Sequence, residues 1–182
     1  MPGTRTEITS VQKHAKGILY KELQGDQATT KATLDAMEQS TCVHLACHAS
    51  QNTADPTQSG FHLHDGVLSL AAVAGKSFKN KELAFLSACQ TATGDKQLPD
   101  EAVHLAAGML AAGYPSVIAT MWSIQDIDAP LVADRVYAQL IRGGRIDNTE
   151  AAKALHAAVG ALRTEVGDMA FTRWVPYIHM GA

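Results

Sequence analysis

Two residues of this chain, His48 and Cys89, pair reactive side chains with positions from which they could act. Each closes a short apolar run: TCVHLAC (41–47) precedes His48, and LAFLSA (83–88) precedes Cys89. Runs of that length are too short for a helix and suit buried strands. In open α/β sheets, sites lie beyond the carboxyl ends of the strands. A thiolate there is a nucleophile, and a neighbouring imidazole carries a proton to a leaving amine. Alone, each residue has a plainer reading. A single cysteine is more often a small buried hydrophobe, and a single histidine a structural one. A third run, SVIATMW (116–122), ends at Trp122 and is followed by Asp126 and Asp128. Asp128 stands just before Ala129 and Pro130, the place of a helix N-cap. Asp126 has no such duty and is the candidate pocket acid, against the reading of a solvated loop acid. Trp122 reads equally as a pocket wall or a core residue.

His44, in mid-strand, reads as a satisfied sheet histidine rather than a site residue. Cys42 and Cys47 are separated by an odd number and so face opposite sides of an extended strand. The same alternation argues against a zinc site built from Cys42, His44, Cys47, His48, His62 and His64, as does the lack of a C-x-x-C spacing. Neither a metal nor a cofactor is expected.

The elements that must position these residues follow from the pattern of apolar and breaking residues. A helix is expected over 9–23 with Val11, Ile18, Leu19 and Leu23 inward, and another over 29–39 capped by Thr29 or Thr30. The polar stretch 49–60 reads as a loop. HDGVLSL (64–70) reads as a turn into a strand, followed by a small helix. A loop is expected at 91–99. A helix then starts near Pro99 with Asp100 and Glu101 in its first turn, buries Val103, Ala106, Ala107 and Leu110, and stops at Gly113. Further helices are expected at 129–142 and 149–163. The closing WVPYIHM (174–180) is a strand that Pro176 confines to an edge or a bulge. Strands and helices alternate, which predicts an α/β domain whose mostly parallel sheet is covered by helices on both faces.

Composition bounds the rest. The chain has 182 residues, 46% of them hydrophobic, enough for one domain with a normal core. A net charge of −3 and a pI near 6.2 leave no electrostatic footprint for nucleic acid or an anionic membrane. No apolar run reaches the ~20 residues of a membrane span, and no signal-peptide pattern opens the chain. Three cysteines, an odd number, suit thiols in a reducing compartment, hence a cytoplasmic location. The opening MPGTRTEIT reads as an arbitrary boundary, such as a domain taken from a longer protein would have.

Four blocks carry a family resemblance: HLACHA (44–49), LAFLSACQTATG (83–94), AVHLAAGMLAAGYPSVIATMWSIQDID (102–128) and FTRWVPYIHMG (171–181). In this order they resemble the landmarks of CHAT domains, which belong with caspases, separases and related cysteine peptidases. The resemblance spans residues 35–181. It implies a CHAT domain over 35–182, preceded by a helical lead-in at 1–34, and a caspase-like three-layer sandwich. It also implies His48 as the catalytic histidine, Cys89 as the nucleophile, and an oxyanion hole made of the backbone amides of Ala49 and Cys89. His48 and Cys89 are 41 residues apart, comparable to the ~50 of caspases. The family's usual glycine after the histidine is replaced here by Ala49. If that position needed a positive φ, alanine would cost about 1 kcal/mol. MWSIQDID is similar to a separase stretch whose aspartate holds a basic substrate side chain. Fungal members that look similar are joined to helical repeats such as tetratricopeptide arrays, so such regions of a larger parent are expected partners beside a protein or peptide substrate.

The expected function is therefore a cysteine endopeptidase cutting after a basic residue. From a different class comes the alternative of an inactive relative serving as a protein-interaction or signalling module. A transferase or hydrolase of non-peptide substrates is compatible with the same dyad.

Overall fold

The computed structural model describes residues 2–50, 52, 55–76, 78–87, 89–90 and 102–182. Its centre is a four-stranded sheet built from β1 (Cys42–Leu45), β5 (Leu83–Leu86), β7 (Ser116–Thr120) and β10 (Tyr177–Gly181), in the order β1-β5-β7-β10. The first three are parallel, and β10 runs antiparallel along the outer edge of β7. Pro176, just before β10, thus sits beside an edge strand, where its missing N–H leaves no gap in the ladder.

Every residue of β5 and β7 is buried, because helices cover both faces. The period of two divides the strands between two cores. Leu45, Ala84, Leu86, Val117 and Ala119 meet α2 (Thr30–Gln39), α3 (Leu70–Ala74) and α4 (Ala102–Ala111) through Met37, Val73, Leu105, Ala106 and Met109. Leu83, Phe85 and Ile118 meet α5 (Ala129–Leu140) and α6 (Ala151–Val166) through Val132, Val136, Leu155 and Leu162, with Val11 of α1 (Pro2–His14) packed against them. The result is the expected three-layer α/β sandwich with a mostly parallel sheet. A last helical turn, α7 (Phe171–Trp174), precedes β10.

Several elements depart from the sequence reading. α1 spans Pro2–His14 rather than 9–23. It has Pro2 at its first position and Lys13 and His14 in its last turn, both favourable there. Leu19, expected inward, is fully exposed. The presumed loop 49–60 begins with the last two residues of β2 (His48–Ser50), and its last residue opens β3 (Gly60–Leu63), which forms a hairpin with β4 (Gly66–Ser69). α4 buries Leu105, Ala106 and Met109, while Ala107 is exposed; its stripe is rotated from the expected one. The end of the expected 129–142 helix instead forms β8 (Ile141–Arg142), paired with β9 (Arg145–Ile146). Their two-residue turn, Gly143–Gly144, has φ +58° and +76°, which glycine takes without strain. Thr29 caps α2 as expected, its hydroxyl accepting the Ala32 N–H at 3.1 Å. The loop expected at 91–99, the helix start at Pro99, Asp100 and Glu101, and the side chain of Val103 lie outside the described residues.

Candidate active site

The site is set by a change of sheet. β1 and β5 pair in parallel through Leu45 and Leu86, each residue meeting the one 41 positions later. Pairing resumes between β2 and β6 (Cys89–Gln90) with the same offset, so that His48 is the direct register partner of Cys89 and Ala49 that of Gln90. The two strands leave the central sheet together and enter a second sheet, ordered β4-β3-β2-β6. The separation of 41 residues noted in the sequence is therefore the register offset of one parallel pair.

On its other side β2 pairs antiparallel with β3, which sets His48 opposite His62 and Ala49 opposite Phe61. Register partners share a face of a sheet. On one face Ala49, Phe61 and Leu68 are fully or almost fully buried in the core. On the other, His48, His62 and Val67 are exposed. Ala49 is an extended strand residue, and Asn80 is the one non-glycine at positive φ among the described residues. The alanine therefore carries no backbone strain of the kind a left-handed position would impose.

The hairpin that flanks this face is anchored at both ends. At its tip, Asp65 accepts the backbone N–H and the hydroxyl of Thr30, at 2.7 and 3.1 Å, in the first turn of α2. The Thr30 N–H bond holds the Asp65 carboxyl below the usual range, as suits an acid at a helix N-terminus. The His64 N–H donates to the Ala28 carbonyl at 2.9 Å. At its base, the buried Ser59 accepts the Asn52 N–H through its hydroxyl, and its carbonyl accepts the Leu70 N–H.

His44, four residues before His48, is occupied elsewhere. Its Nε2 is 3.0 Å from the buried Glu7 carboxylate of α1, its Nδ1 is 3.0 Å from the Tyr137 hydroxyl, and its ring stacks on Phe85 at 4.6 Å. Burial pushes the Tyr137 hydroxyl well above its ordinary range. This is the satisfied sheet histidine that the sequence suggested; its partner Glu7, however, lies in a segment with no recognisable motif. Cys42 packs against the α5–α6 core and Cys47 against the α2–α4 core, as their odd spacing requires. Among the described residues, no three His, Cys, Asp or Glu side chains converge as a metal-ligand set.

Trp122 and Asp126 follow β7 in a seam shared by α1, α5 and α7. The Trp122 indole N–H donates to the Thr172 carbonyl at 3.3 Å. Asp126 is partly buried, and Gly3 of α1 lies so close to its carbonyl that a Cβ there would collide with it. Asp128 holds the N-cap position of α5, but its side chain does not cap the helix. Its buried carboxylate instead accepts two hydrogen bonds from Arg173 of α7, at 2.9 and 2.5 Å. The guanidinium outcompetes a backbone amide for the carboxylate because the paired charges strengthen both bonds.

Compared with known families, the chain matches the family model described as the CHAT domain, over residues 1–182. No curated protein matches it.

Proposed function

This chain belongs to the CHAT family, a caspase-like group related to cysteine peptidases, and from that premise we propose that it is a cysteine endopeptidase acting through His48 and Cys89. The observation that carries the proposal is the parallel register that makes the two residues partners at the rim of a sheet face where His48 is exposed. In the proposed reaction the Cys89 thiol gives its proton to His48, and the thiolate attacks the scissile carbonyl carbon. The oxyanion is stabilised by the backbone amides of Ala49 and Cys89. The C–N bond breaks as the His48 imidazolium protonates the leaving amine, which leaves a thioester on Cys89. Water then attacks the thioester and delivers a proton to His48, which returns it to the departing thiolate.

Asp126, with Trp122 beside it, is proposed to select the residue before the cleaved bond. A partly buried carboxylate favours a basic side chain that can pair with it. Cytoplasmic location and attachment to helical-repeat regions remain part of this reading. Three cysteines, an odd number, suit a reducing compartment.

A second reading, an inactive domain serving in protein interaction or signalling, is favoured by Ala49. The residue is fully buried and has a partner strand on each side, a tighter setting for an oxyanion-binding amide than a glycine turn would give. Cys89→Ala decides between the two readings. Under the peptidase reading the variant loses peptide cleavage altogether and keeps its melting temperature to within about 2 °C. Cleavage that survives in the variant, or a wild type that cleaves no member of a broad peptide library, supports the second reading.

A further inference from the structure

We infer that His62 is a specificity-determining residue for the substrate residues that follow the cleaved bond. The inference rests on the peptidase reading above and adds a direction to it. At one level of the second sheet the backbone register aligns Cys89, His48, His62 and Val67 across β6, β2, β3 and β4. Acyl transfer gives this row a polarity. The carbonyl side of the substrate ends on the nucleophile, and the amine that leaves takes its proton from His48. A path running from Cys89 over His48 therefore continues on the leaving-group side, and the next side chain along it is His62. Adjacent strands are about 5 Å apart and an extended peptide advances about 3.3 Å per residue. His62 thus lies within reach of the first or second residue after the bond.

The row on the opposite face, Ala49, Phe61 and Leu68, is sealed in the core, so the backbone of this hairpin cannot tilt freely. Its tip is fixed to α2 through Asp65 and Thr30, and that pairing occupies the acid of the hairpin turn. His62 is exposed, and Val67 beyond it is 44% exposed. An imidazole offers an N–H in either tautomer, so the subsite suits an acidic side chain, which is the strongest acceptor available to a peptide.

The test uses pairs of peptides that share a sequence the wild-type chain cleaves and differ only in carrying Glu or Ala at the first or second position after the bond. The ratio of kcat/KM within a pair cancels general damage to the enzyme. The wild type is expected to favour Glu about tenfold, the worth of one hydrogen bond to a charged group. His62→Ala should bring the ratio close to one, and His62→Gln, which keeps a donor, should restore part of it. A wild-type ratio near one, or a ratio unmoved by His62→Ala, overturns the assignment of His62 while leaving the peptidase reading intact. A wild type that cleaves no peptide overturns both.

Discussion

Cys42 opens β1 of the central sheet and Cys89 opens β6 of the second, and their expected reactivities are opposite. Burial pushes the Cys42 thiol up to about 11, and the Glu82 carboxylate beside it adds to the effect. Only about one Cys42 in ten thousand is then a thiolate at neutral pH. Brief iodoacetamide treatment near pH 7, followed by peptide mapping, should label Cys89 well before Cys42. Faster labelling of Cys42 would remove the ground for an activated thiol at Cys89. Asp128 presents the other residue-scale case. Asp128 is the buried member of the pair and Arg173 reaches solvent, so Arg173→Ala, which strands the carboxylate, should destabilise the protein in urea unfolding by clearly more than the ~1 kcal/mol of a lost N-cap. A loss of 1 kcal/mol or less would mean that the pair with Arg173 contributes little.

At the scale of elements, β10 owes its place to Pro176 and to a histidine that resists charging. His179 lies 2.9 Å from the buried Ser116 hydroxyl, and burial holds its pKa below 6.5. A base whose pKa is depressed on folding binds its proton more readily when unfolded. Its contribution to stability is complete above pH 6.5 and is lost as pH falls toward the folded-state pKa. Urea midpoints measured at pH 7.5 and 5.5 should therefore differ more in the wild type than in His179→Gln. An equal drop in both would assign the acid sensitivity to other groups. α1 is held by comparable polar contacts, at its end by His14 on Asp134 of α5 at 2.8 Å and against the sheet by Glu7 on His44 at 3.0 Å. The second contact fixes how the first helix meets the sheet.

At the scale of the whole molecule, the order of strands gives the site two sides. β7 neighbours β5, whose course continues into Cys89; β1 continues into His48, and β3 lies beyond β2. In the proposed reaction Asp126, which follows β7, stands on the acyl side, opposite His62. This arrangement supports a preference for Arg or Lys before the cleaved bond, since a carboxylate repels acidic side chains there. Profiling a peptide library with wild type and Asp126→Ala should show a basic preference that the variant loses. A preference unchanged in the variant, or wild-type cleavage after acidic or apolar residues, would exclude Asp126 as the selector.

The α/β class, the three parallel strands, the edge strand after Pro176 and the capped helix at 30–39 were all legible in the residues. They depend on local periodicity and on breakers, which act over a few positions. His48 and Cys89 were legible as candidates because each closes an apolar run. That the two are register partners depends on an offset held across a change of sheet, and only tertiary pairing sets that offset. β3 escaped notice because it is four residues long and becomes strand through pairing with β2 and β4. α1 was misplaced because its packing on α5, not its own modest amphipathicity, decides which residues are helical. Asp128 was correctly placed before a helix, but its partner Arg173 is 45 residues away. No local pattern announces such a pair: a buried charge takes whichever partner the fold brings to it, and that choice belongs to the tertiary structure.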